Sequence, residues 1–440
     1  MIRQMKDSGI PWLREIPADW DIHPLYYYFS ERDRPNRFGQ ENNLLSLSYG
    51  KIVKKDINTC EGLLPASYNS YNIIDPLDIV LRLTDLQNDK RSLRIGLAYE
   101  RGIITSAYVT IKSAGQVVPA FFYYLLYAYD VEKVLYNMGN GVRQSLNYAE
   151  LSKLPLIEPP IKEQQRIAEY LDKKCADVEG LSSNIQKQIE VLEQYKRAVI
   201  TETVTKGLNP SAPMKDSGIP WIGKIPQHWS TLPLRYWMLS RQSGAWGENE
   251  QQNQDDHPCV RVADFDYDTY QLKDNTPTTL RNYTQQTVNL LALKKNDILI
   301  EKSGGGEKTP VGRSIIIRKD FDSPILFANF VERIRIKPMY CAMYVEYALV
   351  AFYKQGLSTF YFQQTTGIQN LNITKMFRME SIPCPSLHEQ QAIADYLDKK
   401  CAKIDGIIHA KQQQLEELEQ YKKAIIFEYV TGKKQVPEVI

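Results

Sequence analysis

The stretch MKDSGIPW occurs at Met5 to Trp12 and again, letter for letter, at Met214 to Trp221. No other feature constrains the fold as strongly, because a segment repeated at this fidelity marks a repeated structural unit. The likeness continues as KDSGIPWLREIPADWDIHPL against KDSGIPWIGKIPQHWSTLPL. A second pair follows: EQQRIAEYLDKKCADVEGL from Glu163 matches EQQAIADYLDKKCAKIDGI from Glu389, and LEQYKRAVI from Leu192 matches LEQYKKAII from Leu418. The chain reads as two copies of one unit, each with a Pro/Trp lead-in, a long variable stretch and a long helix.

The helices are predicted from apolar residues recurring at steps of three and four. The first stripe runs Leu171, Cys175, Val178, Ile185, Ile189, Leu192, Val199; the second runs Leu397, Cys401, Ile404, Ile408, Leu415, Leu418, Ile425. Alternation of three and four is the seam of a coiled coil, and Leu171, Val178, Ile185 and Leu192 are expected to face Leu397, Ile404, Leu415 and Leu418. The second helix opens on a capping box, Ser386 with Glu389 three residues on, and the first opens after Pro159 and Pro160. Both stop at a glycine, Gly207 and Gly432, with proline soon after. Each should run about 45 residues, or ~65 Å.

A helix with one apolar stripe must bury it, and its duplicate is the nearest match. If each variable domain docks on its own helix in the same way, the helices run antiparallel with one domain at each end. The second helix then ends beside the first domain, so Met5 to Trp12 follows it in space as Met214 to Trp221 follows the first helix in sequence. Trp12 and Trp221 are expected to pack the lead-in onto domain and helix end. The predicted fold class is α+β, two mixed-sheet domains separated by a long antiparallel two-helix coiled coil with an internal two-fold repeat. The expected divisions are 1–158, first domain with its lead-in; 159–207, central helix; 208–384, second domain with its lead-in; 385–432, distal helix; and 433–440, tail.

At 440 residues, 43% apolar and 24% charged, the chain is long enough for two or more cores. A formal charge of +2 neither argues for nor against a nucleic-acid partner, so local charge must carry that argument. The six cysteines, Cys60, Cys175, Cys259, Cys341, Cys384 and Cys401, are scattered without zinc spacing and read as reduced thiols of a cytoplasmic protein. The longest apolar run, Val117 to Tyr129, is too short and Tyr-rich to span a bilayer, so no membrane role is expected.

The variable stretches retain traces of equivalence. DIVLRLTDLQNDKRSLRIGLAYERGIITSAYVTIK from Asp78 and DILIEKSGGGEKTPVGRSIIIRKDFDSPILFANFVERIRIK from Asp297 each read as strand, polar loop, strand, strand. AFFYYLLYAY and AMYVEYALVAFY read as buried helices, their tyrosines as core. In the polar loops Arg82, Lys90, Arg91 and Arg94 crowd together in the first copy; in the second, Lys302, Lys308 and Arg313 flank Ser303, Gly304, Gly305 and Gly306. Arg and Lys neutralise phosphates, Arg also grips guanine bidentately, and glycine lets backbone approach a phosphate. Arg143 and Gln144, with Gln369 and Asn370 as rough counterparts, are further candidates on the segment before each helix. Loops of this kind are as often plain solvated surface.

Catalytic patterns are missing where they could be sought. In GGGEKTP, Glu307 stands where a P-loop needs glycine directly before lysine. EPPI at Glu158 resembles the Asn-Pro-Pro-aromatic motif of amino-methyltransferases but lacks its leading amide and its aromatic residue. The five histidines form no metal pair, and G-x-S-x-G does not occur. The predicted catalytic set is none and the predicted metal set is none.

The lead-in KDSGIPWLREIPADW, the helix opening EQQRIAEYLDKK, the LEQYK repeat and the order of domain then helix, twice, resemble the specificity subunit of type I restriction-modification systems over nearly the whole chain. The resemblance implies that each variable domain is a target-recognition domain reading one half of a split, asymmetric double-stranded DNA sequence. The paired helices would space the halves and dock two methylation subunits. Those partners would carry S-adenosylmethionine and methylate adenine N6; a restriction subunit, where present, would use ATP and Mg to translocate and cut. This chain would hold no cofactor and do no chemistry. Two rival classes stand beside it: a recognition half retaining methyltransferase or nuclease activity, and a duplicated coiled-coil adaptor that binds only protein.

Overall fold

A computed structural model of the chain describes residues 3–58, 67–86, 93–138, 145–306, 309–365 and 368–437. The chain forms two compact units, one of residues 1–185 and 414–440 and the other of residues 186–413. The divisions fall inside the two long helices, Ile161–Lys206 and Leu387–Val430, of 46 and 44 residues. Each unit thus contains a segment of both helices, because each segment contributes apolar side chains to that unit's core. Among the described residues no helix is long and apolar enough to cross a membrane.

The helix ends follow their local chemistry. At Leu387 the expected capping box is formed: Ser386 N–H donates to Glu389 Oε2 at 3.1 Å and Glu389 N–H to Ser386 Oγ at 3.3 Å. The first helix begins directly after Pro159 and Pro160, and Gln164 Nε2 returns to the Pro159 carbonyl at 2.8 Å. Gly207 and Gly432 end the helices in the left-handed region, at φ 75° and 72°, where a Cβ would be strained.

The two helices pair antiparallel within each unit. In the first, Tyr170 Oη lies 3.2 Å from Tyr429 Oη and Glu179 Oε1 2.7 Å from Lys422 Nζ, so residue numbers rise along one helix as they fall along the other. In the second, Gln188 meets Lys411, and Lys196 Nζ meets Asp405 Oδ1 at 2.7 Å. The seam is uneven. Leu171, Val178, Leu397 and Ile404 are buried, whereas Ile185, Leu192, Leu415 and Leu418 are only half-buried. This corrects the expectation of a seam sealed along its length. Of the buried four, Leu171 and Leu397 also belong to the two domain cores.

Each unit carries a four-stranded antiparallel sheet of one topology. In the first the order is Phe29–Glu31, Val109–Ser113, Ile79–Leu81, Ile95–Leu97; in the second it is Met238–Ser243, Val331–Ile336, Ile298–Glu301, Ser314–Ile316. Ile79–Leu81, Ile95–Leu97 and Ile298–Glu301 are buried throughout, as expected of sheets covered on both faces. One cover is a buried helix in each unit, Pro119–Val131 and Ala342–Lys354. Most of their tyrosines are core, as the sequence predicts: Tyr124, Tyr127, Tyr129, Tyr344 and Tyr347 are buried, and Tyr123 and Tyr353 half-buried.

The lead-ins close each unit through two tryptophans. Trp20 donates Nε1–H to Glu163 at 3.0 Å and Trp229 does the same to Glu389 at 3.1 Å, both carboxylates lying in the first turn of a long helix. Trp12 packs edge-on against Tyr129 and Trp221 against Phe352, each at 5.7 Å. The helix ends meet the other tryptophans: Gly432 lies against Pro17 and Trp20, and Gly207 against Trp229 and Pro226. The expected spatial joint between the second helix and the first lead-in is therefore present, with Trp20 rather than Trp12 at the helix end.

Around this shared frame the units differ. The first adds a hairpin, Leu45–Ser48 with Lys51–Lys54, and a longer-range antiparallel pair, Asn72–Ile74 with Gly102–Ile104. The second adds a separate small core of Cys259, Val260, Phe265, Tyr283, Val288 and neighbours, with Cys259 and Val260 paired parallel to Leu326 and Phe327.

Candidate nucleic-acid interface

In the second unit the loop beginning at Lys302 leaves the buried strand Ile298–Glu301. Ser303 and Gly304 pair with Asn370 and Gln369 at the edge of a small sheet completed by Phe362–Thr365. Ser303 Oγ lies 2.6 Å from Asn370 Oδ1, and the Leu371 N–H donates to the Lys302 carbonyl at 2.8 Å. Gly305 has φ 63°, and a Cβ there would stand 2.8 Å from Val311 N and 3.0 Å from Gln369 Oε1. The glycine is required where loop and hairpin meet. Gly304, Gln369 and Asn370 are thus brought together, half-buried, by the ladder, whereas the expectation that Ser303 touches DNA is corrected: its side chain is buried against Asn370 and ties the loop to the hairpin.

Lys302 extends this surface. Its exposed Nζ donates to Ser243 Oγ at 3.0 Å, on the outer strand of the main sheet. Two residues away on that strand, Arg241 is held by Glu332 at 2.7 Å and donates to Thr374 Oγ1 at 2.8 Å. Thr374 lies in the first turn of the short helix Ile373–Met379, whose Lys375 and Arg378 are exposed. A basic and amide-bearing face therefore runs from Lys302 through Ser243 and Arg241 to Lys375. The sequence reading missed Arg241, Ser243, Lys375 and Arg378, because they lie far from the glycine loop in sequence and only the sheet gathers them.

Arg313 is held more tightly than a surface contact. Its Nε and Nη2 donate to the two oxygens of Glu301 at 2.7 and 3.0 Å, and its guanidinium lies 3.9 Å from the centre of the Tyr267 ring. Burial pushes the Glu301 carboxyl above the ordinary range although Arg313 pulls it down. For Arg313, burial works against the charge, but the bonds to Glu301 prevail and raise it. Beside this pair a slot of about 690 Å³ is lined by Tyr267, Lys273, Ser303, Gly304, Arg313 and Phe330.

The first unit places its predicted residues differently. Arg94 is fully buried. Its guanidinium donates to Tyr136 Oη at 3.0 Å and to the carbonyls of Arg82, Thr84 and Asp85 at 2.8 to 3.1 Å. The expectation that Arg94 touches DNA is corrected: it braces the turn that follows Ile79–Leu81. The sheet register makes Arg94 and Arg313 counterparts, since Arg82 N–H donates to the Arg94 carbonyl and Glu301 N–H to that of Arg313, both at 2.8 Å. Each sits against a tyrosine ring and faces inward, a signal available in the sequence only once the two loops are aligned. Arg82 is half-buried. Lys90, Arg91, Arg143, Gln144 and Lys308 lie outside the described residues.

Comparison with known proteins gives a consistent set. A family model described as type I restriction modification DNA specificity domain matches residues 105–191 and 249–417. The MjaVIII type I restriction enzyme specificity subunit of Methanocaldococcus jannaschii is 27% identical over 348 residues, which cover 77% of this chain and 75% of that protein. The EcoBI specificity subunit of Escherichia coli is 25% identical over 304 residues, 65% of this chain and 60% of its own length. Among solved structures, one described as the basis of complex assembly and conformational transition of the type I R-M system matches with a TM-score of 0.67 at 15% identity, over 95% of this chain and 99% of that one.

Proposed function

The chain belongs to the type I restriction-modification DNA specificity family, and from that premise we propose that its two units read the two halves of a bipartite, asymmetric DNA site. The observation that carries this reading is the pair of register-equivalent sheets with different surfaces around them. One frame used twice positions two readers alike, while unlike loops make the halves unlike.

In the second unit, Lys302, Lys375 and Arg378 would neutralise phosphates, Gly304 and Gly305 would let backbone approach, and Gln369 and Asn370 would offer amides to base edges. In the first unit Arg82, half-buried beside the turn that Arg94 braces, remains as a candidate contact. The paired helices would space the units and dock two methylation subunits. Methyl transfer from S-adenosylmethionine to adenine N6, and ATP- and Mg-dependent cleavage where a restriction subunit is present, would lie in those partners, in the cytoplasm.

Salt-dependent binding tests the assignment. In the assembled complex, Lys302→Ala is expected to weaken binding to all sequences alike and to reduce the slope of log K against log salt by about one. A slope unchanged in this variant, or no salt-dependent binding by the wild-type complex, would favour a protein-only adaptor.

A further inference from the structure

Four charged residues in the duplicated helices make one ion pair twice. Glu179 aligns with Asp405 and Lys196 with Lys422 in the repeat, and the pairs that form are Lys422 with Glu179 in the first unit and Lys196 with Asp405 in the second, both at 2.7 Å. Each pair takes a third contact from variable sequence. In the second unit Lys196 Nζ also donates to the Asp268 carbonyl at 2.5 Å and lies 4.9 Å from the centre of the Tyr270 ring. In the first, the other Glu179 oxygen accepts from Lys51 at 2.5 Å.

A second anchor lies two turns earlier on the same helix face. Tyr124 Oη donates to Asp172 at 2.7 Å in the first unit, and Tyr347 Oη to Asp398 at 2.6 Å in the second. Residues seven apart share a helix face about 10 Å apart. The apolar core that each domain shares with its helix segments is non-directional, and two polar anchors at this separation add a directional restraint on the domain's rotation. The second clamp is the more enclosed: the Lys196 side chain is only 7% exposed, against 22% for Lys422 and 57% for Lys51 in the first.

We propose that Lys196 with Asp405, and Lys422 with Glu179, are positioning residues that hold each variable domain at one angle to the helix segments packed against it, and thereby restrict the gap between half-sites to one length. The inference rests on the bipartite reading above. It assigns no base contact to these residues, only the rotation of the domain that makes the contacts.

The test is genome-wide mapping of N6-methyladenine by single-molecule sequencing, with this chain co-expressed with its methylation partner in a methylation-free host. Lys196→Met combined with Asp405→Leu removes both charges at similar volume, so that neither is left buried alone. The half-site bases should stay as in wild type, while discrimination against gaps one base pair longer or shorter falls about tenfold, equivalent to ~1.4 kcal/mol. Unchanged gap selectivity in the assembled variant, or altered half-site bases, would overturn the proposal. Should that variant fail to assemble, Lys51→Met at an exposed position carries the same two outcomes for the first unit, with a smaller loss of selectivity expected. A wild-type map without a bipartite motif would refute the bipartite reading itself.

Discussion

Gly432 carries a joint that closes the first unit. A methyl group there would stand 2.4 Å from Pro17 Cγ on a backbone already at φ 72°, whereas at Gly207 the nearest atom, Trp229 Cζ2, is 2.9 Å away. Gly432→Ala is therefore expected to cost about 1 to 3 kcal/mol and Gly207→Ala less, read as lowered melting temperatures of the assembled complex. Equal, negligible shifts would mean that the joint yields. The second unit also has an acid-sensitive residue. Burial alone would raise the Glu389 carboxyl, but hydrogen bonds from His228, Trp229 and Ser386 outweigh it and hold the group at about 2, below its ordinary 4.5. A depressed carboxyl contributes stability that is full above its unfolded value and lost as the pH falls through the folded one. Resistance to denaturant unfolding should thus fall as the pH drops from about 4.5 to 2, and Glu389→Gln should flatten that dependence; an unaltered acid profile in the variant would contradict the assignment. At this scale the sequence was a partial guide. Local spacing identified the capping box and the helix-ending glycines, because their partners lie within four residues. It misread Arg94, since the carbonyls and the Tyr136 hydroxyl that enclose it come together only in the folded turn.

The long helices were the most legible elements, since their period persists over many turns and their ends carry their own signals. Their burial was less so. Leu171 and Leu418 look alike in the stripe, yet Leu171 is fully buried among domain side chains and Leu418 is half-buried. Leu171→Ala is expected to cost about 2 to 5 kcal/mol and Leu418→Ala under about half of that, measured by denaturant unfolding of the assembled complex. Similar losses would show that the seam is sealed evenly. The strands were legible as an order but not as a pairing. The alternation of strand and polar loop from Asp78 and Asp297 reveals the same series twice, whereas placing Val109–Ser113 between Phe29–Glu31 and Ile79–Leu81 requires register that no local pattern carries. The face joining Lys302, Arg241 and Lys375 was hidden for that reason.

For the whole molecule, the duplication visible at Met5 and Met214 recurs as two units with one sheet topology, two equivalent tryptophan–glutamate bonds and two equivalent ion-pair clamps. Among the described residues the units diverge in what surrounds the frame, which suits the proposed reading of two unlike half-sites. Which bases are read depends on groove geometry that neither loop pattern encodes. On the proposed function, this chain gives a methylation complex its address. The direct measurement is the N6-methyladenine map of a methylation-free host expressing the partner subunits with and without this chain. A split motif with two unlike halves and a fixed gap is expected, present only when the chain is expressed. A stable, well-expressed complex that leaves no such motif, or a motif that persists when the chain is omitted, would contradict that function.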